Sequence, residues 1–235
     1  MSQLAHVFIF HRTHRWFTGI FLAAAAVFFA ALWLDHVPTR LVTKPMPVLA
    51  LMALLALSGT GRAKWPFFIG FAFSIVGDVA LEIPDGPFIL GLGSFLIAHV
   101  AYIIGAWLES RHGGWLWLLG ILPWCGLVYG SMYGGMGNLA VPVAVYVSVI
   151  ALMGWRMGAR AHLGGLALWG AIGACTFMLS DSLIAFRKFG GEFPGAKEAI
   201  MVTYWAGQAL IAVSALRAMG PTDEADSPPD LGRGA

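Results

Sequence analysis

The sequence predicts an all-α polytopic membrane protein, a bundle of about eight transmembrane helices. Three observations carry that prediction. Apolar residues make up 59% of the 235 residues and charged residues only 11%, less than half the roughly 25% of a soluble domain. Mean hydropathy is +0.77. The apolar residues also fill the whole chain in runs of helical-span length, broken only by short polar joints, which fits repeated crossings and not one anchor on a soluble domain.

The same counts remove other classes. A net charge of +2 is too small and too scattered for a nucleic-acid surface. Cys125 and Cys175 each lie inside an apolar run and no CxxC or Cys/His spacing occurs, so neither a disulfide framework nor a zinc finger is expected. The first apolar run has no A-x-A cleavage site after it and is followed by further spans, so it reads as a retained helix.

Taken in order, residues 1–15 form a short basic segment with His11, Arg12, His14 and Arg15. The first helix is expected over 16–34, ended by Asp35-His36-Val37-Pro38. Lys44-Pro45 opens a short second helix over 45–58, because a proline in the first turn lacks only an N–H that would be unpaired anyway. A third helix over 65–83 stops at Pro84-Asp85-Gly86-Pro87, a strong breaker. A fourth, over 88–108, ends in the polar stretch from Glu109 to Gly114.

A fifth helix over 115–133 carries Pro123 and should kink there. Gly134 to Asn138 reads as a loop, and a sixth helix follows over 139–157. Arg156 and Arg160 mark the next boundary. The seventh helix, 164–186, holds Ser180-Asp181-Ser182, and a Gly/Pro-rich loop leads to an eighth over 198–218. The domain is therefore 16–218. The acidic, proline-rich tail 219–235 has nothing to bury and is expected to be disordered. Many glycines in the spans, among them Gly120, Gly126, Gly154, Gly170 and Gly173, read as close helix contacts.

Eight crossings put both termini on one side. Nine of the 14 Lys and Arg fall in segments on that side, and five (Arg40, Lys44, Arg187, Lys188, Lys197) on the other. By the positive-inside rule both termini are cytoplasmic, in a cell membrane such as the bacterial inner membrane.

An ionisable group at membrane depth costs roughly 2.5 kcal/mol or more, so each needs a partner or a task. Ser74, Asp78 and Glu82 repeat every four residues along one helical face, as do Phe95, His99 and, three further, Tyr102. Ser180-Asp181-Ser182 and the pair Tyr204 and Gln208 complete the set. Counted along their helices, Asp78, Asp181, His99, Tyr204, Gln208 and Lys44 all fall in one half of the bilayer, which implies one polar cavity open to one face. Asp78 to Tyr102 spans 24 positions and Asp181 to Tyr204 spans 23, a faint internal echo.

Two carboxylates near one another have their protonation pushed apart, giving one acid and one base. That makes Asp78 and Asp181 the leading catalytic candidates. His99 either pins its helix or joins the chemistry. Glu82 either reaches interfacial water or faces the site, and Lys44 either snorkels to the headgroups or binds an anionic one. Arg187 and Lys188 read as interfacial anchors. Asp and His on three helices without a local spacing motif do not suggest a metal, and no cofactor is implied. A proton-coupled transporter for a small solute, using the same carboxylates as relays, is the alternative.

The set Lys44-Pro45, Ser74-x-x-Gly77-Asp78-x-x-Leu81, Gly91-x-x-x-Phe95-x-x-x-His99-x-x-Tyr102, Ser180-Asp181 and Tyr204-x-x-x-Gln208 resembles the lysoplasmalogenase-like (YhhN) membrane family. The resemblance implies hydrolysis of the vinyl ether of an alkenyl lysophospholipid drawn from the bilayer. In that reading Asp78 and Asp181 are the catalytic carboxylates and His99 shares or orients a proton. Lys44, Ser74, Glu82, Tyr102, Ser180, Tyr204 and Gln208 would bind or position substrate. The tail lies outside the family pattern.

Overall fold

A computed structural model describes residues 3–57 and 64–217, with side chains within 15–57 and 64–216. The side chains of His11, Arg12 and His14, most of the joint between the helices expected over 45–58 and 65–83, and the tail expected to be disordered over 219–235 lie outside the described residues. Among the described residues the ordered elements are all helical: α1 (Gln3–Trp33), α2 (Val37–Thr43), α3 (Met46–Leu57), α4 (Lys64–Glu82), α5 (Phe88–Glu109), α6 (Leu118–Met136), α7 (Ala140–Ala159), α8 (Leu166–Ala185) and α9 (Ala196–Arg217). Three short 3-10 segments join them, and α8 runs on into a π-helical turn over Phe186–Gly190.

Among the described residues seven stretches are long and apolar enough to cross a membrane. One of them, Trp115–Leu163, has 49 residues, too many for a single crossing. It doubles back at Gly137, where φ is +49°. The antiparallel return puts Trp117 against Gly158 and lets Tyr129 donate to the Ala140 carbonyl at 3.1 Å. Counting α6 and α7 separately gives eight apolar segments. Large apolar side chains such as Leu22, Leu116, Leu119 and Val141 point outward, as expected of helices solvated by lipid.

Several boundaries differ from the sequence expectation. α1 reaches back through the basic segment to Gln3. The second span starts at Val37, because Pro38 occupies the first turn of α2 and His36 Nδ1 accepts from the Thr39 amide at 3.3 Å. Lys44-Pro45 is thus a break within the span Val37–Leu57, not its start. α6 continues through Gly134 and Gly135 to Met136, since helix-breaking residues are tolerated where every backbone group must be satisfied internally.

The most extensive packing is α4 on α5 and α8 on α9. Small residues set both contacts. A Cβ at Gly77 would lie 2.6 Å from the Phe95 ring, and one at Gly173 2.8 Å from Leu210. Gly154 and Gly170 are similarly crowded, against Met178 and Ser214, whereas Gly120 and Gly126 face open space and make no such contact. α7 packs on both α5 and α8, and α3 on α1, α4 and α9, so the two hairpins form the centre of the bundle.

Arg156 and Arg160, expected as boundary markers in a polar joint, are buried instead. Arg160 pairs with Glu109 at 2.7 Å. Arg156 donates to the carbonyls of Ser110 and His112 beneath Trp107 and Trp155. Arg156 thereby satisfies carbonyls at and just past the end of α5, which lipid could not hydrate.

Candidate functional site

The polar residues of the bundle interior fall into two groups on either side of an aromatic wall. In the first, Tyr204 of α9 donates to Asp78 Oδ2 of α4 at 2.8 Å. Gln208 Nε2, one turn further along α9, donates to the Tyr204 oxygen at 3.3 Å, and Tyr102 donates to Gln208 Oε1 at 2.8 Å. Ser74 Oγ lies 3.5 Å from the Tyr102 oxygen. All five side chains are buried, so the chain exists because each hydroxyl, amide and carboxylate must find a partner inside.

The second group is Asp181, His99 and Tyr146. Tyr146 donates to Asp181 Oδ2 at 2.5 Å. His99 Nε2 stands 3.9 Å from the same oxygen, beyond direct hydrogen-bond distance. Among the described residues neither nitrogen of this buried ring has a hydrogen-bond partner. The ring is held edge-on by Phe177 at 4.9 Å and Tyr146 at 5.3 Å.

Phe177 and Phe95 form the wall between the groups. Phe177 packs on Tyr204 on one side and His99 on the other, and Phe95 packs on both Phe177 and Tyr204. Among the described residues no hydrogen bond or ion pair joins Asp78 to Asp181.

Two cavities adjoin these groups. A narrow apolar one of about 60 Å³ runs between α5, α6, α7 and α8, and its polar lining comes from Asp181, Tyr146 and Ser182. A larger one of about 630 Å³ lies at one end of the bundle, among α2, the α4–α5 turn and the α8–α9 connection. Leu81, Phe88 and Ile184 line both.

Of the residues singled out in the sequence, Asp181 lines the narrow cavity, and Lys44 and Glu82 line the larger one. Asp78, His99, Tyr102, Tyr204, Gln208 and Ser74 are enclosed. Lys44 Nζ pairs with Glu82 Oε2 at 3.1 Å, and Arg40 Nε with Glu82 Oε1 at 2.7 Å. Glu82 is therefore committed to two cations. Arg40 also reaches Asp35 at 2.8 Å and holds that exposed carboxyl below the usual carboxylate range. Ser180 donates to the Ile200 carbonyl at 3.0 Å and so ties α8 to α9. Ser182 accepts from Trp124 Nε1 at 3.1 Å.

Tyr146 is the residue that spacing did not find, because its partner is on another helix. A signal existed: tyrosines of membrane helices gather at the interfaces, and this one sits two turns inside α7, where a hydroxyl needs a partner. Among the described residues no three His, Cys, Asp or Glu side chains cluster as metal ligands.

Comparison with known proteins converges on one family. The YhhN family matches residues 39–215. The chain is 33% identical over 219 residues to lysoplasmalogenase TMEM86A of Bos taurus, covering 87% of this chain and 90% of that one. It is 32% identical over 213 residues to lysoplasmalogenase TMEM86B of Homo sapiens, covering 88% and 89%. A Mycobacterium tuberculosis lysoplasmalogenase is 31% identical over 189 residues, 72% of this chain and 67% of the relative. No solved structure matches the chain.

Proposed function

The chain belongs to the YhhN family, and on that premise we propose that it is a membrane hydrolase of the lysoplasmalogenase kind. Its substrate is an alkenyl lysophospholipid taken from the bilayer, and its products are a fatty aldehyde and a glycerophospho-headgroup alcohol. The relatives' names support the reaction class. The observation that carries the reading is that Asp181 and Tyr146 line an apolar cavity which shares Leu81, Phe88 and Ile184 with a charged one. A lysolipid has that same division between chain and headgroup.

The chemistry asks for an acid and a base. Proton transfer to the β-carbon of the vinyl ether gives an oxocarbenium ion. Water adds to the carbon bearing oxygen and loses a proton, and the resulting hemiacetal collapses to aldehyde and alcohol. One carboxyl must begin protonated, and another ionised to stabilise the cation and take the proton of water, as in glycoside hydrolysis. In this reading Asp78 and Asp181 are the two carboxyls. Asp181 meets the vinyl ether in the apolar cavity, with Tyr146 fixing its orientation and His99 sharing a proton across the 3.9 Å gap. Asp78 stands behind Phe95 and Phe177 with Tyr204 as its hydrogen-bonded outlet. Tyr102, Gln208 and Ser74 hold that outlet in place, while Ser180 keeps α8 against α9. Lys44 and Glu82 shape the headgroup end.

We place the protein in a bacterial inner membrane with both termini cytoplasmic, from the distribution of Lys and Arg. The charged cavity then opens at the outer face. The test is aldehyde release by purified protein from alkenyl and acyl lysolipids side by side. Aldehyde from the alkenyl lipid alone supports the reading, and no aldehyde rejects it.

A further inference from the structure

The larger cavity has a charge imbalance that the ion pairs do not cancel. Five Lys and Arg side chains and three carboxylates line it. On its α2–α4 wall the charges are spent, since Glu82 holds both Arg40 and Lys44 and Asp35 holds Arg40 as well. The surplus is on the opposite wall. There Arg187 pairs with Glu192 at 2.8 Å, with both side chains well exposed, and such a pair adds little. Among the described residues Lys188 and Lys197 make no hydrogen bond to a carboxylate, and Lys197 acts only through space on the exposed carboxyls of Asp35 and Glu192. Lys188 Nζ instead lies 5.2 Å over the ring of Phe88, one of the three residues that also line the apolar cavity.

Resting on the lysolipid reading above, we infer that this cavity is a phosphodiester site in which Lys188 and Lys197, with Arg187, bind the lipid's phosphate. Lys44 is then a neutralised part of the wall. Lys188 sits at the threshold, so a lipid whose chain enters between Leu81, Phe88 and Ile184 carries its phosphate past this ammonium. Charge-assisted hydrogen bonds to phosphate are the strong class, and the apolar threshold favours a phosphate tethered to a chain over a free one. These residues are therefore specificity determinants and not only interfacial anchors.

The test uses the full chain in detergent and two ligands that it cannot hydrolyse, 1-O-alkyl lysophosphocholine and 1-O-alkylglycerol of equal chain length. Equilibrium binding should favour the phosphocholine lipid by about tenfold or more. The double variant Lys188→Gln/Lys197→Gln should bring that ratio close to one while binding alkylglycerol as before, and Lys188→Arg/Lys197→Arg should keep the preference. Soluble glycerophosphocholine should bind far more weakly than the lipid. Equal affinities in the unmodified protein, a preference that survives loss of both charges, loss of both affinities together, or glycerophosphocholine binding as tightly as the lipid would each overturn the inference. A charge-dependent preference without aldehyde release would leave the site standing and reject the hydrolase reading. Aldehyde release without the preference would do the reverse.

Discussion

Tyr146 donates its hydroxyl to Asp181 Oδ2 at 2.5 Å across the α7–α8 contact, and both residues line the same apolar cavity. The carboxylate most accessible to a lipid chain is thereby fixed in one orientation by a residue on another helix. On the far side of Phe177, Tyr204 and Asp78 repeat the arrangement at 2.8 Å. The two carboxylates thus each carry a tyrosine donor, and they differ in access: Asp181 lines the apolar cavity and Asp78 is enclosed.

The first consequence concerns the carboxylates themselves. Asp78→Asn and Asp181→Asn should each lower aldehyde release by at least about 100-fold, the scale of a lost general acid or base. Asparagine keeps the shape and can still bond to tyrosine, so the thermal unfolding midpoint in detergent should move little. Near-full activity in either variant would remove that residue from the reaction.

Tyr146→Phe takes away one hydroxyl and leaves the ring against His99. kcat should fall by about tenfold, the value of a charge-assisted hydrogen bond, with KM changed by less than about twofold. An unchanged kcat would show that Asp181 needs no orienting donor.

The chain slot can be tested by filling it. Val147 lines the narrow cavity, and Val147→Trp puts an indole ring into it. The variant should raise KM for a long-chain alkenyl lysolipid more than for a short-chain one, by about tenfold or more if two or three buried methylenes are displaced. Equal effects on both chain lengths would place the chain elsewhere.

Away from the site, Arg160 is fully buried and paired with Glu109. Arg160→Met should cost about 3 kcal/mol of stability, because it breaks a buried ion pair on one side. Urea or thermal unfolding in detergent measures this, and a loss below about 1 kcal/mol would show that Glu109 is satisfied without it.

How much of this was legible in the sequence follows from where each partner sits. α5 was readable almost to its ends, expected over 88–108 and observed over Phe88–Glu109, because polar joints and prolines bound an unbroken apolar run. α2 was not, since seven residues with Pro38 and Arg40 look like a loop until Arg40 is seen buried against Glu82. Spacing along one helix found Asp78 and Ser74, and Tyr204 and Gln208, as single-helix sets. It could not show that Tyr204 reaches across to Asp78, or that Phe95 and Phe177 stand between the carboxylates. Tyr146 escaped for the same reason, and Arg156 and Arg160 looked like boundary charges because their partners lie about 50 residues earlier.

If a carboxyl group protonates the vinyl ether before water adds, the solvent proton remains on the product carbon. Purified protein is given 1-alkenyl lysophospholipid in D2O, and the released aldehyde is analysed by mass. Protonation at the β-carbon predicts aldehyde carrying one deuterium on the carbon next to its carbonyl, formed by the unmodified protein and not by Asp181→Asn. No aldehyde, or aldehyde without that deuterium, would contradict protonation of the β-carbon by this protein.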